Sequence, residues 1–230
     1  YNVTDVTGFF NGYAGLIPGK SPDPLLLTPA VVDTITDRGG TFLGSSRGGQ
    51  RVPQMVDTLV HREINILFVI GGDGSMRGAH EIAEEALSRG LEIAVVGVPK
   101  TIDNDISGTD YTFGFDTAVS IATEAIDRLR TTGESHRRCM LLEVMGRDAG
   151  WIALHSAMAG GAQVTLIPEF PESIEDICAW ITHVGERGRS SLVVVAEGFT
   201  LAGETSVTRE GLDGFGRPRL GGISEVLAPL

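Results

Sequence analysis

The stretch IAVVGVPKTIDND, residues 93–105, is an apolar run followed by a polar cluster, and it is the most informative part of this chain. Its first half, Ile93–Val98, is an apolar run with the length of a buried strand. The second half places a lysine, a threonine and two carboxylates directly after that strand. Asp103 and Asp105 are two residues apart, so an extended backbone directs both side chains to the same side. The neighbouring Lys100 would hold an anionic ligand or lower the pKa of a carboxylate. The stretch therefore predicts proton transfer beside a phosphate group.

A second apolar run lies upstream and ends in glycines. Residues 64–70 read INILFVI, and GGDGS follows at 71–75. An apolar stripe at helical spacing comes next, formed by Ile82, Ala83, Ala86 and Leu87. Strand, glycine-rich turn and helix together present backbone N–H groups and a helix N-terminus to phosphate. Asp73 is a common turn residue, but beside phosphates it also fits a Mg²⁺ ion between carboxylate and phosphate.

The same pattern of apolar run and polar cluster recurs along the chain. Strands are predicted at Ile64–Ile70, Ile93–Val98, Cys139–Val144, Val164–Ile167 and Leu192–Ala196, with helical spacing at 116–130 and 174–187. Alternating strands and helices predict an α/β fold with mostly parallel sheets. Because the runs are continuously apolar, we expect the strands to be covered on both faces. The clusters after the strands should line one cleft, since ligands bind outside the carboxyl ends of parallel strands.

Composition excludes several classes of partner. The net charge of −12 argues against nucleic acid or an anionic membrane as the main partner. No apolar run in the sequence approaches the length of a membrane span. Cys139 and Cys178 have apolar neighbours, so we expect buried free thiols in a reducing cytoplasm.

Three motifs together resemble the phosphofructokinase family: GGDGS at 71–75, PKTIDND at 99–105 and MGRDAGWIA at 145–153. Gly44–Arg47, Glu169 and the AEG of residues 196–198 fall in the order which that family shows, so the resemblance covers essentially the whole chain. NAD kinases and lipid kinases that look related also carry GGDG, but they do not account for the other two motifs.

The resemblance implies two Rossmann-like three-layer domains with mostly parallel sheets and an active site at strand carboxyl ends between them. Residues 1–113 are expected to form a nucleotide-binding domain that lacks an amino-terminal strand and loop. Residues 114–230 are expected to form a sugar-phosphate-binding domain that lacks its carboxyl-terminal part. The chain is thus expected to be an internal fragment, inactive alone, of a cytoplasmic glycolytic enzyme that assembles as a homodimer or homotetramer.

Roles for individual residues follow partly from the chemistry and partly from the resemblance. Phosphoryl transfer needs a group that accepts the proton of the attacking hydroxyl, and Asp103 is predicted to be this base unless it caps a following helix. Asp105 either orients Lys100, helps to hold Mg²⁺ or caps a helix. The predicted catalytic residues are Lys100, Thr101, Asp103 and Arg147.

The resemblance also implies two sets of ligand-binding residues. The nucleotide set is Arg47, Gly72, Asp73, Gly74 and Ser75, with Asp73 as the contact for Mg²⁺ through water. The sugar-phosphate set is Thr101, Asp103, Arg138, Met145, Gly146, Arg147 and Glu197. Arg138 is expected to act in a neighbouring subunit. Without the resemblance, Arg47 is a surface arginine and Arg147 could simply pair with Asp148.

The resulting prediction is Mg²⁺-dependent transfer of the γ-phosphate of ATP to the 1-hydroxyl of fructose 6-phosphate. Two residues disagree about the phosphoryl donor. Gly74 leaves room for a nucleotide, whereas Lys100 is the residue type associated with pyrophosphate users and a subset of ATP users. Pyrophosphate-dependent phosphofructokinase therefore stays open as an alternative, as does an inactive fragment or regulatory subunit.

Overall fold

The computed structural model describes residues 3, 5–49, 51–205, 208–212 and 218–229, with the backbone alone at 208–211. Its elements, in chain order, are β1 (Thr7–Gly8), a 3-10 helix (Gly12–Leu16), β2 (Leu25–Leu26), α1 (Pro29–Val32), α2 (Val52–His61), β3 (Ile66–Gly71), α3 (Asp73–Ser88), β4 (Ala94–Thr101), β5 (Phe113–Gly114), α4 (Phe115–His136), β6 (Met140–Val144), α5 (Trp151–Gly160), β7 (Val164–Leu166), α6 (Ile174–Glu186), β8 (Leu192–Ala196), β9 (Thr208–Leu212), β10 (Pro218–Leu220) and α7 (Ile223–Leu227). Parallel pairs join β4 to β5, β6 to β8 and β7 to β8. The predicted α/β class with mostly parallel sheets is confirmed.

The described residues fall into two compact units. One consists of the residues up to Ile70 together with Gly74–Val98, and the other consists of Gly71–Asp73 together with the residues from Pro99 onward. This division comes earlier in the chain than the boundary at 113/114 placed from the sequence. The division of labour between a nucleotide domain and a sugar-phosphate domain stays a prediction.

Helices cover one face of β3 in the first unit. Leu67 and Val69 point into a core with residues of the 3-10 helix, α2 and α3, namely Leu16, Ile17, Met55, Val56, Leu59, Ala79 and Ile82. The alternate residues of β3, Ile66, Phe68 and Ile70, are 47%, 62% and 66% exposed. The expectation that every apolar strand is covered on both faces is therefore wrong for β3. Among the described residues, only one side of this strand meets helices.

The second unit holds a sheet that is covered on both faces. Its strand order is β6-β8-β7, and all five residues of β8 are buried. Val193 and Val195 pack on one side with Ile177 of α6 and Ile223 of α7. The other three residues of β8 pack on the opposite side with side chains of α4 and α5, among them Ile126, Ala153 and Ala157. The central strand therefore reads as a continuous apolar run because both of its faces are buried.

Local signals set the helix ends. Ser173 caps α6, because its hydroxyl accepts a hydrogen bond from the N–H of Asp176 at 3.1 Å. Helix α4 runs beyond the predicted 116–130 and ends where Arg137 takes a left-handed conformation, with φ of 52°. Strand β4 extends to Thr101, so Pro99, Lys100 and Thr101 belong to the strand rather than to the loop after it.

Some predicted burial is not observed. Ala83 is half-buried and Leu87 is 79% exposed, although Ile82 and Ala86 of the same stripe are buried. Cys139 and Cys178 are both exposed, which contradicts the expectation of buried thiols. Cys139 precedes β6, and Cys178 lies one position after the buried Ile177 of α6, so its side chain leaves the helix in another direction. In the part of the chain described here, no helix is long and apolar enough to cross a membrane.

Candidate active site

Asp103 lies in a turn directly after β4. The Thr101 hydroxyl donates to Oδ2 of Asp103 at 3.3 Å and accepts from the Asp103 backbone N–H at 3.2 Å. The next described helix, α4, begins only at Phe115, so neither Asp103 nor Asp105 caps a helix. The structure therefore removes the capping alternative for both carboxylates.

One oxygen of this carboxylate is left without a partner. Oδ1 of Asp103 is buried and receives no hydrogen bond from the described residues. Burial and the nearby charge of Asp105 raise the pKa of Asp103 above its ordinary value, with a smaller rise from Glu197. The Thr101 hydrogen bond and the positive charge of Arg147 oppose that rise in pKa. A buried, unpartnered oxygen on a carboxyl of raised pKa is suited to accept a proton from a bound hydroxyl.

Gly72 of the glycine-rich motif lies against the same turn. A Cβ added to Gly72 would stand 3.5 Å from Cβ of Thr101 and 3.7 Å from the carbonyl oxygen of Lys100. Helix α3 begins at Asp73, so Asp73, Gly74 and Ser75 form its first turn rather than a separate loop. Backbone N–H groups in a first turn lack partners within the helix and can bind phosphate oxygens. Within the second unit, the predicted residues Gly72 and Thr101 are thus brought together.

Arg147 lies in a second turn, after β6, with a left-handed backbone. Its φ is 55°, and Gly146 before it has φ of 148°. The Arg147 N–H donates to Oε1 of Glu197 at 3.1 Å. A Cβ on Gly198 would come within 2.0 Å of the Arg147 carbonyl oxygen, so only glycine fits beside this turn. Glu197 and Gly198 together fix the backbone of Arg147.

A further carboxylate holds the end of the same turn. Oε1 of Glu169 accepts from the N–H of Gly150 at 2.9 Å, directly before α5 begins at Trp151. A Cβ on Gly150 would stand 2.4 Å from Cβ of Ile167. This close approach explains why the second glycine of the MGRDAG motif, Gly150, has no side chain. Apart from its place after β7, nothing in the local sequence predicts this contact of Glu169.

The remaining predicted residues of the second unit are spread along its strands. Lys100 is exposed near the end of β4 and Met145 is exposed directly after β6. Arg138 is exposed two residues before β6 begins, whereas Arg147 follows the other end of that strand. Because β6 has five residues, its two ends are about 17 Å apart. The structure therefore does not bring Arg138 to the turn that holds Arg147.

In the first unit, the 3-10 helix contacts both Ser75 and the residue before Arg47. The Tyr13 hydroxyl donates to the carbonyl oxygen of Ser75 at 2.5 Å. Burial, with a smaller effect of Glu81, raises the pKa of Tyr13 to about 12, so the hydroxyl stays protonated and can donate. The loop of Arg47 is tied to the same 3-10 helix, because the Ala14 N–H donates to the Ser46 hydroxyl at 3.4 Å. The sequence had not predicted the role of Tyr13.

Tyr13 also explains a glycine in α3. A Cβ on Gly78 would lie 2.7 Å from a ring carbon of Tyr13. The ring therefore occupies the place that any side chain at position 78 would need. Two features of the sequence could have pointed to this contact: the pair Gly12-Tyr13, and Gly78 inside an otherwise helical segment.

The donor set constrains how a metal could bind. Among the residues that the structure describes, no three His, Cys, Asp or Glu side chains form a group that could hold a metal ion. Mg²⁺ commonly takes one or two carboxylates and fills its shell with water and phosphate oxygens. Asp73, exposed at the first residue of α3, fits that sparse arrangement together with bound phosphates.

A cavity of about 260 Å³ lies at the opposite edge of the second unit's sheet. Its lining includes Arg130, Gln163 and Arg189 near the amino ends of β6, β7 and β8. Arg147 and Glu197 follow the carboxyl ends of β6 and β8. The cavity therefore lies at the opposite strand ends from the predicted site residues Arg147 and Glu197.

The chain matches known proteins over nearly its whole length. The family model for phosphofructokinase matches residues 1–224. A "Pyrophosphate--fructose 6-phosphate 1-phosphotransferase" of Streptomyces coelicolor is 48% identical over 97% of this chain, and an "ATP-dependent 6-phosphofructokinase" of Mycobacterium bovis is 46% identical over 98%. The chain spans 65% of the length of each.

A solved structure shows the same fold. The phosphofructokinase of Pichia pastoris, crystallised in the T-state, matches 98% of this chain and 25% of its own chain with a TM-score of 0.81 and 30% identity. Together with the family model, these similarities show that the chain belongs to the phosphofructokinase family.

Proposed function

We propose that this member of the phosphofructokinase family is, as a full-length protein, a Mg²⁺-dependent 6-phosphofructokinase. It transfers the γ-phosphate of ATP to the 1-hydroxyl of fructose 6-phosphate, in glycolysis in the cytoplasm. The observation that carries the proposal is the buried, unpartnered Oδ1 of Asp103, whose carboxyl lies close enough to Arg147 and Glu197 for their charges to affect its pKa.

Asp103 accepts the proton of the sugar hydroxyl in this mechanism. As the hydroxyl oxygen bonds to the γ-phosphorus, the bond from that phosphorus to the bridging oxygen breaks, and its electron pair leaves with ADP. Arg147 and Lys100 balance the negative charge that spreads over the transferring phosphoryl oxygens. The Thr101 hydroxyl has one proton, which it donates to Asp103 in the structure and would turn to a phosphate oxygen when the substrates bind. Asp73 would hold Mg²⁺ through water, and the ion would neutralise the donor phosphates.

The sugar phosphate is bound by the residues around the two turns. The proposed contacts in the same subunit are Thr101, Asp103, Met145, Gly146, Arg147 and Glu197. Glu197 has a second oxygen beyond the Oε1 that accepts from Arg147, so one carboxylate can hold the turn and also a sugar hydroxyl. The nucleotide contacts are Arg47, Gly72, Asp73, Gly74 and Ser75.

Activity of the full-length protein is the direct test. Purified enzyme with Mg²⁺, ATP and fructose 6-phosphate should form ADP and fructose 1,6-bisphosphate in equal amounts. Substrate binding without turnover would favour a regulatory subunit, and neither binding nor turnover would refute the proposed function. Residues 1–230 alone should be inactive, because they span only 65% of the length of the relatives.

The donor is proposed to be ATP, on the basis of Gly74. Relatives at 48% and 46% identity are named for pyrophosphate and for ATP respectively, so overall similarity does not decide between the donors. A Cβ at position 74 would meet nothing within 4 Å, and the residue is exposed. An acidic side chain would therefore fit the fold, and beside a donor bound at this turn it would repel the phosphates.

Both donors should be assayed with wild type and with Gly74→Asp. Wild type should prefer ATP, and the substitution should raise the KM for ATP about tenfold or more while leaving Tm nearly unchanged. Gly74→Ala is the matched control, because it adds the Cβ without charge. A clear preference of wild type for pyrophosphate would make Lys100 the better guide and would favour the alternative activity.

We also propose that the enzyme is a homo-oligomer in which Arg138 contacts the sugar phosphate of a neighbouring subunit. Arg138 and Arg147 lie beyond opposite ends of β6, which supports their serving different sites. Full-length Asp103→Asn and Arg138→Ala should each be nearly inactive, and mixed oligomers should regain part of the activity. If verified mixed oligomers stay inactive, Arg138 does not act in the neighbouring subunit.

A further inference from the structure

Asn104 lies next to the proposed base and has a strained backbone. Its φ is 54°, in the left-handed region that asparagine tolerates better than most residues. The segment from 102 to 112 connects β4 to β5, and these two strands are parallel. Parallel neighbours are usually joined through a helix, but no helix is present in this described connection. Another interaction must therefore close the segment.

The ladder between the two strands is too short to do this alone. It consists of two residue pairs, Lys100 with Phe113 and Thr101 with Gly114. Thr112 lies directly before this ladder and is only 5% exposed, whereas Asp105, Asp110 and Tyr111 of the connection are exposed. The connection is thus a largely exposed loop that ends in the buried Thr112.

Two side chains join the ends of this connection. The Thr112 N–H donates to Oδ1 of Asn104 at 2.9 Å, and the Thr112 hydroxyl donates to the carbonyl oxygen of Thr101 at 2.8 Å. That hydroxyl also lies 3.2 Å from Oδ1 of Asn104, but it has one proton, and the shorter contact takes it. The Asn104 amide donates to the carbonyl oxygen of Asp110 at 3.3 Å. An N–H donor can meet only an acceptor, so these contacts fix which way the amide points.

We propose that Asn104 and Thr112 form a latch that holds the turn of residues 101–104 closed and thereby positions the carboxylate of Asp103. Both are positioning residues, because neither is placed in contact with the reacting atoms. The latch grips the turn on both sides of Asp103, at the Thr101 carbonyl and at the Asn104 side chain. The latch uses the Thr101 carbonyl and not the Thr101 hydroxyl, so that hydroxyl can contact Asp103, as it does in the structure.

The effect on catalysis rests on the proposed function, with Asp103 as the base. A base displaced by a fraction of an ångström still allows the substrates to bind, but it accepts the proton less well. Loss of the latch should therefore lower kcat and leave both KM values nearly unchanged. A residue that served only folding would lower Tm without this separation of kcat from KM.

Three variants of the full-length protein test the latch. Thr112→Val removes the hydroxyl while keeping the shape, and Thr112→Ser keeps the hydroxyl. Thr123→Val is the matched control, because the Thr123 hydroxyl also donates to a backbone carbonyl at 2.8 Å, within α4 and away from the turn. We expect Thr112→Val to lower kcat about tenfold with KM values within about twofold, Thr112→Ser to restore most of kcat, and Thr123→Val to match wild type.

Hydrogen exchange of the peptide spanning 101–112 is measured in parallel, because it does not depend on activity. Thr112→Val should speed exchange of the amides in this peptide, and Thr112→Ser should not. Unchanged exchange in Thr112→Val would refute the latch, and this result remains decisive if the wild type proves inactive and the proposed function fails. Faster exchange with an unchanged kcat would show that the latch does not position the base, and would overturn the proposal.

Discussion

The turn after β4 and the turn after β6 use their carboxylates in opposite ways. The first carries Asp103, whose Oδ1 is buried and lacks a hydrogen-bond partner among the described residues. The second carries Arg147 and consumes carboxylate oxygens of Glu197 and Glu169 on its own backbone N–H groups. A proton acceptor must stay available for its substrate, whereas a residue that positions charge gains from a fixed backbone. The difference supports the proposal that the first turn performs proton transfer and the second positions charge.

Removing the available carboxylate should have the largest effect. In the full-length enzyme, Asp103→Asn should lower kcat by at least about 10²-fold with KM for ATP nearly unchanged, because the amide cannot accept the proton. Steady-state kinetics with both substrates measures this effect. Near-normal turnover would remove Asp103 from the mechanism and end the contrast between the two turns.

Disturbing the fixed turn should have the next largest effect. In Gly198→Ala the new methyl would stand 2.0 Å from the Arg147 carbonyl oxygen, so the turn must move. We expect kcat/KM for fructose 6-phosphate to fall about tenfold or more and the free energy of unfolding to fall by about 1–3 kcal/mol.

Gly185→Ala is the control for this substitution. Gly185 lies in α6, and a Cβ there would meet nothing within 4 Å. Its alanine variant should keep full activity and a Tm equal to or above that of wild type. Equal behaviour of the two alanine variants would show that the turn after β6 tolerates movement.

Changing the charge beside the base should give a smaller, pH-dependent effect. The charge of Asp105 helps to raise the pKa of Asp103, so Asp105→Asn should lower that pKa. The base acts when deprotonated, and the acidic limb of the kcat/KM profile should therefore move to lower pH in the variant. A limb that moves to higher pH, or stays in place, would contradict this electrostatic account.

The smallest expected effect is on stability. Because the pKa of Asp103 is raised in the folded state, its protonated form contributes stability below its ordinary value near 3.8 and loses that contribution as pH rises through the folded-state pKa. Asp103→Asn should therefore raise Tm at pH 7 by no more than a few degrees, and this gain should shrink toward pH 4. Calorimetry across pH measures the difference, and a lower Tm at pH 7 would mean that the carboxylate also supports the fold.

Much of the site could be predicted from local sequence. The strands that end at GGDGS, PKTIDND and MGRDAG were found within a few residues, because apolar runs and glycines are local signals. The hypothesis of Asp103 beside Thr101 rested on two neighbouring residues, and the structure places them in hydrogen-bond contact. Long-range partners such as Glu169 with Gly150, or Tyr13 with Ser75, had no comparable signal, because they meet only through packing.

The α/β class, the order of the motifs and the chemical groups after each strand follow from hydrophobic pattern and residue type, so they can be read from the sequence. Which carboxylates stay available and which bind backbone depends on packing and is seen only in the folded chain. The folded chain also shows that β3 is exposed on one face while β8 is buried on both. Both strands are apolar runs, and their burial depends on which helices pack against them, a property that the residues of a strand do not encode.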